Sequence, residues 1–219
     1  MNILKKKENE KYASSYRRLT AASIDIWIVL FLRIIVMQLM TTIWINSEFL
    51  KFLSSFEATF GTSEIKAVPS HIEFIANSSF IWQIALFYLI VILIGAFYHA
   101  YLNSSAWMAT VGKRLLSIKI SKKNEMPISL KRGLLHYFLS LAPFVYLSYV
   151  LVIHLQTKLT ITQVVFSSPI ILILGILFVF WVQLQAFTSN KTTIYDLICN
   201  TTLTNGKTQA KYPWSKIND

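Results

Sequence analysis

A few ionisable residues in this 219-residue chain lie where the sequence otherwise suits hydrocarbon. The stretch YRRLTAASIDIWIVLFLR, residues 16–33, holds Asp25 in an apolar run behind Arg17 and Arg18, with Arg33 further along. Arg18 and Asp25 are seven residues apart, two helical turns, so they share one face. A carboxylate taken out of water must find a partner or take up a proton. On insertion scales a central Asp or Arg costs about 2.5–3.5 kcal/mol. Asp25 can therefore titrate, pair with a cation or line a polar pathway. It can equally be a polar staple that fixes helix packing. Both readings stand. Arg33 falls about 80° round the helix from Asp25, so its partner must come from another span, a loop, a lipid headgroup or water. The staple reading is favoured for Arg33.

Two further groups carry charge. The stretch SSAWMATVGKRLLSIKIS, residues 104–121, contains Thr110, Gly112, Lys113 and Arg114. It is not a phosphate loop, which needs glycine at Trp107 and Ser or Thr at Arg114. It reads as a turn at Gly112, a basic pair and a short strand near 115–120. NKTTIYDLICNTTLTNGK, residues 190–207, contains Asp196, the only acid between Glu125 and Asp219. Asp196 should lie near the cytoplasmic interface, at the depth of Arg18. TTLT, 201–204, ends in Asn205-Gly206 and reads as a second strand, able to pair with the first.

Other chemistry is not indicated. His71, His99, His136 and His154 lack ligand spacing, and Cys199 is the single cysteine, so neither a metal site nor a disulfide is expected. No nucleophile, base and orienting acid are grouped. The expectation is no enzyme and no cofactor.

The elements that must hold these residues are membrane spans. The chain is 54% hydrophobic and only 14% charged, against about a quarter charged in soluble domains. Three stretches lack Asp, Glu, Lys and Arg: residues 74–112, 133–157 and 159–190. Each contains a run longer than the roughly 20 residues that cross a bilayer core. With the first segment they predict four spans, at about 19–45, 80–101, 134–155 and 165–187.

The net charge of +11 would suggest nucleic acid in a soluble protein. Here it follows the loops. Six Lys/Arg fall in residues 1–18, seven in 103–133 and four after 190; residues 46–79 hold two, and Lys158 stands alone near 155–165. The alternation places both termini in the cytoplasm. The expected partners are a bilayer with anionic headgroups and no nucleic acid. Four spans are few for a self-contained carrier, which points to a homo-oligomer or a membrane protein complex. Residues 1–18 form a basic cytoplasmic segment without a signal-peptide layout, and 207–219 a polar tail. FLKFLSSFEATF, 49–60, has helical apolar spacing and predicts a short helix on the outer face. Tyr98, Tyr101, Tyr149 and Trp181 fit interfacial belts. Pro143 predicts a kink in the third span, and Pro169 suits a first helical turn.

Three blocks together resemble the RDD family of mostly bacterial membrane proteins, named for one arginine and two aspartates. They are Arg18 with Asp25, the T-x-G-K-R-L-L-x-I-K-I block from Thr110, and Y-D-L-x-x-N-T around Asp196. The resemblance covers roughly residues 12–206. Relatives commonly have Gly at Ser117 and Ala-Gly at Cys199-Asn200, and Arg33 is outside the pattern. The resemblance implies an RDD-like domain over residues 19–206 in a bacterial inner membrane, with suggested transport of ions or small ligands, including cation/proton antiport. The leading expectation is a transport-related protein with Asp25 as the titratable group. The alternative is a non-transporting scaffold or assembly partner whose charges fix helix packing and lipid contact. The overall expectation is an all-α membrane fold with a small cytoplasmic β element.

Overall fold

The computed structural model describes residues 11–66, 68–122, 124–157, 159–188 and 190–215. The first ten residues, with three of the six N-terminal basic residues, and the last four lie outside the described residues.

The apolar runs form long helices. Helix α1 spans Ser15–Met40, and a π-helical turn, Thr41–Ile45, joins it to α2, Asn46–Phe60. Helix α3 is Pro69–Asn77, α4 Ser79–Ser104, α5 Val111–Leu115, α6 Leu130–Thr157, α7 Ile161–Phe166, α8 Pro169–Phe187 and α9 Ile194–Ile198. Strands β1, Ile118–Lys122, and β2, Thr201–Asn205, pair antiparallel with Ile120 opposite Leu203. Among the described residues, three helical stretches are long and apolar enough to cross a membrane: Ser15–Phe60, Ser79–Ser104 and Leu130–His154. Their large side chains are largely exposed, Trp27 and Trp82 among them, as lipid-facing residues must be when the solvent is hydrocarbon.

Four expectations need correction. The first helix does not stop near 45, because backbone bonding continues through the π turn into α2. The expected outer helix is therefore the continuation of the first span and ends at Gly61 in the left-handed conformation, φ 68°. The fourth apolar run starts at Pro169 instead of 165. Ser168 is extended, φ −140° and ψ 131°, as a residue before proline prefers, and the preceding residues form the separate, capped α7. The first strand runs over 118–122, since Leu115 belongs to α5. Gly112 lies inside α5 and makes no turn. Pro143 lies within α6, which runs from Leu130 to Thr157 without a break.

The described residues form two compact units, Met1–Ile26 with Ala96–Asp219 and Trp27–Gly95. In the first, β1 and β2 pack Ile118, Ile120 and Leu203 with Ala13, Ala21 and Ile128 into a buried apolar cluster. Gly133 on α6 lets the helix approach α4, as a Cβ there would lie 3.0 Å from the Ala100 carbonyl oxygen. Helices α6, α7 and α8 share a cluster of Val150, Val164 and Ile171, and the Trp181 indole donates to the Leu139 carbonyl at 2.9 Å. The tail also packs here. The Ala106 N–H donates to the Pro213 carbonyl at 3.1 Å, and Arg114 donates to the Ala210 carbonyl at 2.6 Å while its guanidinium lies 4.6 Å from the Trp107 ring centre. Residues 207–215 thus pack as part of this unit.

In the second unit, Phe52 and Phe56 are buried among Phe49, Phe60, Phe74, Phe80 and His71. Arg33 is in this unit and its Nε donates to the Val91 carbonyl of α4 at 3.0 Å. One partner of Arg33 thus comes from another apolar helix.

Candidate functional site: a buried charge array

Asp25 is 1% exposed, and its carboxylate accepts three hydrogen bonds. Oδ1 accepts from the Tyr98 hydroxyl at 2.7 Å and from the Gly112 N–H at 2.8 Å. Oδ2 accepts from the Thr110 hydroxyl at 2.5 Å. The local sequence explains the arrangement. Thr110 is extended at the N-cap of α5 and leaves the Gly112 N–H without an intrahelical acceptor. Asp25, from another helix, supplies that acceptor and a negative charge at the positive end of the turn. Only glycine fits, because a Cβ at Gly112 would collide with the Ala21 carbonyl oxygen and lie 3.0 Å from the Asp25 carboxyl.

The second carboxylate is built from the other end of the chain. Asp196 sits in α9 and closes a capping box with Thr193: its Oδ2 accepts from the Thr193 N–H at 3.0 Å, and its own N–H donates to Thr193 Oγ1 at 3.2 Å. Arg18 Nη1 is 3.4 Å from Oδ2. His136 Nε2 lies 2.9 Å from Oδ1, and the Thr201 hydroxyl donates to Oδ1 at 3.3 Å. The two main partners are nearly dry, with side chains 9% and 1% exposed for Arg18 and Asp196. Burial pushes the Asp196 carboxyl up, but the hydrogen bond and charge of His136, the Arg18 guanidinium and the Thr193 N–H outweigh it and hold the group below the usual range. Burial, then the Asp196 charge, pushes the neighbouring Tyr195 phenol up to about 12.

Lys113 is buried within the field of both carboxylates. Its ammonium donates to Asn103 Oδ1 at 3.0 Å. Burial pushes it below the usual lysine range, against the attraction of both Asp25 and Asp196, and Arg18 adds to the lowering. Arg17 braces the sheet at the same end of the unit. Its Nη1 donates to Asn205 Oδ1 at 2.6 Å and its Nη2 to the Leu116 carbonyl.

The structure brings Arg18, Asp25, Asp196, Thr110, Gly112 and Lys113 into one unit. Arg33 belongs to the other. Arg18 and Asp25 share a face as expected, yet their hydrogen bonds go to different partners. Tyr98, Asn103, His136, Thr193 and Thr201 complete the array and were not singled out from the sequence. The only signal was weak: Thr193 three residues before Asp196 fits a helix start. Arg114 faces the tail instead. Among the described residues no group of His, Cys, Asp and Glu has metal-binding geometry.

The comparison with protein families returns one model, described as the RDD family, that matches residues 12–200. The chain belongs to the RDD family. No curated protein and no solved structure matches it. The family pattern falls on the array just described. Ser117 and Asn200 have φ of 53° and 52°, a left-handed backbone that glycine adopts most readily. Each position immediately precedes a strand.

Proposed function

We propose that this RDD protein is a four-span protein of the bacterial plasma membrane, with both termini cytoplasmic, that acts as a non-transporting scaffold or assembly partner. The buried array is a polar lock that fixes the ends of its helices. One observation carries the reading: Asp25 already accepts three hydrogen bonds, one from a backbone N–H, and is closed to solvent. A carboxylate held in this way ties α1 to α4 and to the start of α5. Two features support the span count and orientation: α8, 19 residues of apolar helix, and the alternation of basic loops. Anionic headgroups are the natural partners of those loops, at about 1 kcal/mol per exposed Lys or Arg.

A second reading, cation or proton transport, is favoured by one feature. Lys113 is coupled to both carboxylates, and a connected buried set can exchange protons. One experiment separates the two. The full chain and its Asp25→Asn variant are reconstituted in proteoliposomes, with cation-driven pH change and folded fraction read in parallel. The scaffold reading expects no coupled flux from the parent and a destabilised variant. Coupled flux that Asp25→Asn abolishes in a fully folded protein would establish transport and overturn the lock. The mass of the purified complex then tests for a homo-oligomer or a bound partner.

A further inference from the structure

The Trp27–Gly95 unit contains a cavity of about 400 Å³ lined by Phe60, Ser70, Glu73, Phe74, Asn77 and Ser78. The charge array uses none of these residues. Ser70, Glu73, Phe74 and Asn77 have the i, i+3, i+4, i+7 spacing of one face of α3, and Phe60, the last residue of α2, forms the facing wall. The Phe60 and Phe74 rings lie 5.6 Å apart at 78°, so they present two walls at nearly right angles. Both are stiffened from behind. Phe56 packs on Phe60 at 4.7 Å and on Phe74 at 5.6 Å, and His71 packs on Phe60 at 4.4 Å. His71 is buried and accepts the Lys66 N–H on Nδ1 at 3.1 Å, which fixes the ring.

We infer that this cavity binds a small organic ammonium ion, with Glu73 as counter-charge and Phe60 and Phe74 as the aromatic walls. Two features of the lining select that class. Aromatic faces attract a cation through their quadrupole, and alkylated ammonium groups are the cations that give up water most readily to do so. The Glu73 carboxylate has no hydrogen bond or ion pair among the described residues and is therefore available to a ligand. Anions are disfavoured by both, and a neutral apolar ligand gains nothing from Glu73. The inference is independent of the polar lock, since no residue is shared.

The test uses the purified full chain in detergent, titrated with choline and with its neutral isostere 3,3-dimethyl-1-butanol, by calorimetry. Saturable choline binding is expected, with the isostere at least about tenfold weaker, a difference of about 1.4 kcal/mol. Glu73→Gln should weaken choline about tenfold, and Phe74→Leu should weaken it while keeping the cavity filled. Glu73 is exposed, so Glu73→Gln should leave the unfolding midpoint unchanged. Absence of saturable choline binding, equal binding of the isostere, or full affinity in a folded Glu73→Gln protein would each overturn the assignment. The isostere comparison needs no variant and decides the matter if a substitution perturbs folding.

Discussion

Gly112→Ala sets two physical effects of opposite sign against each other. Gly112 is helical, and in a helix interior alanine is favoured over glycine by about 1 kcal/mol. On propensity alone the substitution stabilises. The structure predicts the reverse. The new Cβ would strike the Ala21 carbonyl oxygen, a backbone atom that cannot swing aside, and approach the Asp25 carboxyl to 3.0 Å. Helix α5 must then move away from α1. Such overpacking costs about 1–3 kcal/mol. The move also stretches the 2.8 Å bond from the Gly112 N–H to Asp25, and a hydrogen bond to a charged group contributes about 1.5–3 kcal/mol. Set against the propensity gain, the net expectation is a loss of about 1.5–5 kcal/mol. Equilibrium unfolding of the purified protein in micelles reads the difference directly. A Gly112→Ala protein as stable as the parent, or more so, would show that α5 does not sit on α1 as described.

Ser117→Gly should stabilise by about 1 kcal/mol, because it relieves an L-residue held at positive φ; Asn200→Gly should gain less, since asparagine tolerates that region. Matched unfolding curves check both. Ile120→Ala, at a fully buried position beside Leu203, should cost about 2–5 kcal/mol by the same measurement. Asp196 should make stability fall in acid. Its folded pKa is depressed, so its contribution is complete above the unfolded value near 3.9 and is lost as pH falls through the folded value. Unfolding midpoints between pH 3 and 7 should show this acid loss in the parent. Asp196→Asn should be less stable at pH 7 and show a smaller loss. A parent and variant with parallel acid profiles would mean that Asp196 is not held as an anion by His136 and Arg18.

Much of this was legible in the sequence because the signals are local. Charge-free runs mark apolar helices, and β-branched LLSIKI and TTLT mark strands whose antiparallel pairing the structure contains, with the first shifted three residues toward the C-terminus. The partners of the buried charges were not legible. Tyr98 reads as one more interfacial ring and His136 as one more isolated histidine, and only tertiary folding brings them to Asp25 and Asp196, 73 and 60 residues away. Gly112 was misread for a related reason. A glycine beside a basic pair signals a turn locally, whereas its actual role is set by the Ala21 backbone, 91 positions earlier in the chain. Family resemblance supplied the missing long-range information for Arg18, Asp25 and Asp196 alone.

The array's donors constrain any mechanism that would use it. For Asp25 to bind a cation or release a proton to a pathway, it must give up at least one of its three donors. Two are hydroxyls, which can rotate. The third is the Gly112 N–H, and it cannot move without α5. Losing one hydrogen bond to a charged group costs about 1.5–3 kcal/mol, so a state with one donor released would be populated at roughly one part in ten to one part in two hundred. Lys113 raises the cost further. It stands on α5 one residue after Gly112, so withdrawing α5 also removes its charge from both carboxylates. A transport cycle through Asp25 therefore requires at least one of the Tyr98 and Thr110 hydroxyls to swing away, and a scaffold requires that both stay. The release of these hydroxyls is thus the physical variable on which the two functional readings differ.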